Sequence, residues 1–194
     1  MQRRDFLLSI QGSDMSVGYS LSAPDCGLFF LSSAPSELFC SNCGSFLGSD
    51  IFVPSLDMSD VSLDFCFTYD NRLLVSERAK SYLGAYASTP LRFRMVDPVR
   101  LFYACVAERV VMFDTARRKT HFEGICDRCG GFKAVAGATP AFLRQGSVVE
   151  DNGFYRTDVC FGSGAEQSPL YIVGHQLKEG LELAFPELRF SALG

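Results

Sequence analysis

Eight cysteines occur in this chain of 194 residues, and four of them fall in two copies of one short pattern. Phe39-Cys40-Ser41-Asn42-Cys43-Gly44-Ser45-Phe46 and Ile125-Cys126-Asp127-Arg128-Cys129-Gly130-Gly131-Phe132 share the form apolar-C-x-x-C-G-x-F. Two cysteines separated by two residues let one tight turn present both sulfurs to a metal ion at ~2.3 Å. A glycine directly after the second cysteine admits a backbone conformation that aims N–H groups at those sulfurs. One CxxC alone would equally suit a redox dithiol. Two copies with the same trailing glycine favour a structural zinc ion held by Cys40, Cys43, Cys126 and Cys129, over a redox pair or an iron–sulfur centre, whose ligands are usually more densely spaced. Four thiolates leave no coordination position for water, so catalytic zinc is not expected. The long stretch between the pairs, residues 44 to 125, makes the metal a clasp between distant parts of the chain rather than the heart of a small finger.

The remaining chemistry-bearing residues form no comparable set. His121 precedes the second pair and is an alternative ligand, but reads more simply as a solvated loop residue; His175 reads as a helix-surface residue. Cys66 and Cys160, each beside a phenylalanine in a matching strand segment, and also Cys26 and Cys105, read as small buried hydrophobes. None has the His and Asn/Asp context of a catalytic thiol. Gly162-Ser-Gly-Ala lacks the third glycine and the strand-to-helix setting of a dinucleotide fingerprint. No catalytic constellation is visible, and the chain reads as a non-enzyme with no catalytic or cofactor-binding residue besides the four metal ligands.

The elements that must position the cysteines show a repeat. After the CxxCG copies come Asp64-Phe-Cys-Phe67 and Asp158-Val-Cys-Phe161, then Leu73–Leu83 and Tyr171–Leu181, then Leu91-Arg-Phe93 and Leu188-Arg-Phe190, in the same order. Val61, Leu63, Phe65 and Phe67 alternate, as does the stretch from Phe154 to Phe161, which predicts half-buried strands. Leu73–Val75 and Leu170–Val173 predict short strands running into helices, the first capped by Ser76 with Ala79, Tyr82 and Leu83 inward, the second with Leu177 and Leu181 inward. Leu91–Val96 and Leu181–Phe190 predict returning strands, the latter interrupted by Pro186. Val99–Phe113 predicts one long or two short strands tying the halves together. Gly12–Pro24 and Ser32–Glu37 read as loops, and Gly162–Pro169 as an exposed turn. The expected fold is α+β, mainly antiparallel sheet with few short helices, in two pseudo-symmetric halves, 1–98 and 99–194, that make one compact unit.

A hydrophobic content of 47% with 18 Phe and 7 Tyr indicates a filled core and excludes disorder. A net charge of −4 disfavours a nucleic-acid binder and suits a basic protein partner. The basic run Arg117-Arg-Lys119, with Arg128 and Lys133, is the one place nucleic acid could touch, and reads as a solvated turn. Phe6–Ile10 is too short for an export signal and no segment is long enough to span a membrane, so the expectation is a cytoplasmic protein whose thiols stay reduced.

The doubled C-x-x-C-G, together with Arg156-Thr-Asp-Val-Cys-Phe-Gly-Ser-Gly164 and Pro169-Leu-Tyr-Ile-Val173, resembles the double-CxxCG motif family of bacterial proteins and related immunity-protein domains. The resemblance implies a small cytoplasmic immunity protein that neutralises a cognate protein toxin exchanged between bacterial cells, with Cys40, Cys43, Cys126 and Cys129 as the paired cysteines. It carries no toxin-contact residues over. Gly174 stands where relatives often have a serine, which leaves the second helix without its expected cap. The alternative is a zinc-ribbon-like nucleic-acid-binding or regulatory module.

Overall fold

The alternating apolar pattern becomes two sheets in a computed structural model that describes residues 18–48 and 52–194. The readings of Phe6–Ile10 and of the start of the Gly12–Pro24 loop lie outside those residues. In the smaller sheet, β2 (Phe65–Phe67), β3 (Leu73–Ser76), β5 (Phe102–Ala107) and β4 (Leu91–Asp97) lie side by side in that order, all antiparallel. The larger sheet runs β11 (Arg189–Ala192), β1 (Tyr19–Ser22), β10 (Ser168–Val173), β9 (Phe154–Ser163), β8 (Phe132–Ala136) and β7 (His121–Ile125). The short β6 (Val110–Val111) pairs parallel with β9 at Arg156 and Thr157. With the helices α1 (Glu77–Tyr86), α2 (Thr115–Arg118) and α3 (His175–Ala184), the fold is α+β and mainly antiparallel. Among the described residues no helix is long and apolar enough to cross a membrane.

The repeat in the sequence is a repeat in topology. The hairpin β2–β3 leads into the ten-residue α1 and then β4; the hairpin β9–β10 leads into the ten-residue α3 and then β11. Each returning strand lies two places from the strand that entered the helix, and one antiparallel strand fills the gap. In the first unit the filler is β5, which follows β4; in the second it is β1, from the start of the described chain. Thus β5, after residue 98, completes the first unit, and β1 completes the second.

Both sheets bury residues on both of their faces. The central core joins Leu73, Val75, Tyr103 and Cys105 of the small sheet to Phe154, Tyr171 and Val173 of the large one, with Ala79 and Leu83 of α1 and Leu177 and Leu181 of α3. The intervening residues face the other way: Leu74 and Ala104 pack under residues of the 26–46 and 52–63 segments, and Ile172 joins Val111, Val149 and Tyr155 behind the large sheet. That division follows directly from the two-residue period of a strand.

Several expectations need correction. Only Phe65–Phe67 of the Val61–Phe67 alternation forms a strand; Val61 instead closes a turn by donating its N–H to the Met58 carbonyl. Leu181–Ala184 remain helical because Leu181 shares the buried face of Leu177, and the returning strand starts only at Arg189, past Pro186. Tyr19–Ser22 is a strand rather than a loop, paired on both edges by distant strands that override local composition. Cys66 and Cys160 do not match in register. Phe65 pairs with Val75 and Phe154 with Val173, so the counterpart of Phe65 is Phe154, and Cys160 lies farther along the longer β9. Cys66 and Cys105 are fully buried, whereas Cys26 and Cys160 are half-buried.

Candidate metal centre

Each CxxCG folds into the same knuckle. The Cys40 N–H donates to the Ser45 carbonyl and the Gly44 N–H to the Cys40 carbonyl, both at 2.8 Å; Cys126 to Gly131 and Gly130 to Cys126 repeat the pattern at 2.8 Å. Gly44 has φ +73° and Gly130 φ +72°, a left-handed conformation that a side chain disfavours. A strand-like rung precedes each turn, Phe39 opposite Phe46 in the first and Ile125 opposite Phe132 at the β7–β8 hairpin in the second.

The two knuckles meet. Cys40 Sγ lies 3.7 Å from Cys126 Sγ and Cys43 Sγ 3.6 Å from Cys129 Sγ, and all four sulfurs fall within 4.8 Å of one another. These spacings far exceed the ~2.05 Å of a disulfide. They fit the edges of a tetrahedron: four ligands ~2.3 Å from one ion stand ~3.8 Å apart. Cys40 and Cys126 are buried, Cys43 and Cys129 half-buried, so the site is closed on one side by protein.

Electrostatics inside the cluster favour a cation. Backbone N–H groups of Cys129 and Arg128 hold Cys126 down to about 6, helped by the Asn42 amide, whose nitrogen lies 3.4 Å from that sulfur. The Ser45 hydroxyl and backbone N–H lower Cys43 as well. At Cys129 the Gly131 N–H favours the thiolate, but proton sharing with Cys43 and the other sulfurs outweighs it and raises the thiol to about 12. Four neighbouring sulfurs cannot all ionise unaided; a divalent ion bound at their centre removes that conflict.

Further contacts hold the halves together beside the sulfurs. At the turn between β2 and β3, Arg72 donates from Nη1 to the Gln167 carbonyl at 3.2 Å and from Nη2 to the Ala165 carbonyl at 3.1 Å, and Asn71 donates to the Glu166 carbonyl at 3.2 Å. Of the expected exposed turn Gly162–Pro169, Gly162 and Ser163 end β9 and Ser168 and Pro169 begin β10, which leaves residues 164–167 as a gripped, mostly half-buried turn; a Cβ on Gly164 would stand 3.7 Å from the Cys43 carbonyl oxygen. Gln167 extends the grip by donating to the Phe132 carbonyl at 2.8 Å. Sequence reasoning singled out the cysteines but not Asn42, Ser45 or Arg72. The first two stand inside or just after the motif, where a second shell to the sulfurs could be sought; Arg72 has no local signal.

The histidines stand apart from the cluster. His121 is exposed at the start of β7. His175 is the first residue of α3, as Glu77 is of α1, and lies 3.4 Å from both the Tyr19 hydroxyl and Glu179. The chain matches no protein-family model, no curated protein and no solved structure.

Proposed function

We propose that this is an immunity protein that binds and neutralises a cognate bacterial toxin, and that one structural zinc ion clasps its two halves. The observation that carries the clasp is the tetrahedral spacing of four cysteine sulfurs drawn from two identical knuckles. Four thiolate ligands suit zinc or iron–sulfur chemistry. The short sulfur–sulfur edges favour a single ion over a multinuclear cluster, which needs more room between its thiolates. With every ligand supplied by the protein, such an ion has no position left for substrate, so its work is mechanical.

Toxin neutralisation rests on the resemblance carried by the doubled CxxCG and the Arg156–Gly164 and Pro169–Val173 stretches. A pre-organised scaffold supports it, because a rigid partner loses little conformational entropy on association. The action belongs in the cytoplasm of the cell that makes the protein, where thiols stay reduced and available to metal. The alternative, a nucleic-acid-binding module, has weaker support: Arg117 is stacked over the Phe142 ring at 4.2 Å and Arg118 donates to the Thr139 carbonyl, so both are engaged within the chain. Co-expression with the product of a larger neighbouring gene, where an immunity protein's toxin should be encoded, tests the proposal. Rescue of growth and a co-purifying complex are expected; loss of both overturns it.

A further inference from the structure

A cavity of about 290 Å³ opens between β4–β5 of the small sheet and β9–β10 of the large one, and it borders the first knuckle through Ser45. Three arginines, Arg72, Arg94 and Arg156, line it, and among the described residues no aspartate or glutamate does. That is a concentrated positive charge in a chain whose net charge is −4. The remainder of the wall is largely apolar, with the rings of Phe46, Phe52 and Tyr171 among it.

The hydrogen bonds of Arg72 and Arg156 go to neutral carbonyls, and the Asp70 carboxylate lends Arg72 alone a nearby counter-charge. Arg72 spends two N–H groups on carbonyls of the 164–167 turn and stands 5.8 Å from the centre of the Phe46 ring. Arg156 donates Nε to the Ala107 carbonyl at 3.1 Å. The side chain of Arg94, a half-buried residue of β4, has neither a hydrogen bond nor an ion pair among the described residues. The nearby carboxylates are committed elsewhere: Asp70 accepts from the Phe30 and Leu31 N–H groups at 2.9 and 2.7 Å, and Asp158 from the Phe113 N–H at 2.7 Å. A guanidinium withdrawn from water without a counter-charge is costly, and its planar fork fits carboxylate or phosphate oxygens.

We propose that this cavity binds a small anion with a flat apolar body, an aromatic carboxylate or phosphate monoester, its charge held by Arg94 and Arg156 and its ring against the aromatic wall. The volume sits at the small end of ligand pockets, which admits one ring and one anionic group rather than a dinucleotide. Cys160 also lines the cavity, within electrostatic reach of Arg72 and Arg156, so it reports on occupancy. The proposal goes beyond toxin neutralisation and does not depend on it.

The experiment titrates the metal-loaded full chain with phenyl phosphate, with benzoate and with neutral benzyl alcohol by calorimetry. Alkylation of Cys160 is followed by peptide mass spectrometry at each step. Saturable one-to-one binding of at least one anion is expected, at least about tenfold weaker for benzyl alcohol and in R94Q, as loss of one charged hydrogen-bond partner predicts. Alkylation of Cys160 should slow in proportion to occupancy. Arg94 supports no other described side chain, so R94Q should melt as the parent does. Equal affinity for benzyl alcohol, unchanged binding in R94Q, or no saturable binding of either anion at millimolar concentration overturns the proposal.

Discussion

Cys126 and Asp97 show how single residues here are held by backbone N–H groups. Replacing any one of Cys40, Cys43, Cys126 or Cys129 by serine removes a ligand from a four-ligand site. The expected outcome is loss of the bound metal and of stability on the order of 4 kcal/mol, read by elemental analysis and denaturant midpoint. Binding of the proposed toxin partner should then fall only as far as folding does; lost binding in a variant of full stability would count against a purely structural metal. Asp97, buried at the end of β4, accepts from the Arg100 N–H at 3.0 Å, Met58 at 2.9 Å and Val99 at 2.8 Å. Those bonds, the Arg100 one foremost, hold its carboxyl below the ordinary 3.8. A depressed folded value favours the ionised form, so the stability it supplies is complete above 3.8 and drains away as pH falls through the lower folded value. Urea midpoints across acid pH should show D97N weaker at neutral pH and less acid-sensitive than the parent; parallel curves would refute this.

At the scale of elements, the two helices start in the same place by different means. Ser76 Oγ accepts the Ala79 N–H at 3.2 Å, which satisfies one of the free donors of the first turn of α1. Gly174 has no side chain to do this for α3, and the Asp151 carbonyl accepts the Leu177 N–H at 3.0 Å instead. That loop sits where a side chain would be: a Cβ on Gly174 would meet the Glu150 carbonyl oxygen at 1.9 Å. S76A should therefore cost about 1 kcal/mol in thermal or chemical unfolding. G174S, although it restores the expected cap residue, should cost more, because the 150–151 backbone must move; a stabilised G174S would show that the side-chain cap is the better solution. The cap at Ser76 was legible from its place before a helical pattern. Capping by a distant carbonyl was not, since the Asp151 loop and Gly174 come together only when β9 and β10 pair.

For the whole molecule, neither the central core nor the cores behind the two sheets draws on a metal ligand. Chelation of the proposed metal should lower the melting temperature and open residues 39–46 and 125–132 to proteolysis while far-ultraviolet circular dichroism keeps its sheet signal. Complete unfolding on chelation would mean that the cores cannot stand without the clasp. The four sulfurs, the two trailing glycines, the strand-to-helix segments and the doubled order of elements can all be read from the linear chain. These depend on spacing, on side-chain period and on backbone permissiveness, all of which are local. That β5 and β1 fill equivalent slots, that Cys160 lies out of register with Cys66, and that Arg72, Arg94 and Arg156 line one cavity emerge from the folded chain alone. Those outcomes depend on which strands share hydrogen bonds across long separations, and no local pattern in the chain encodes the partner.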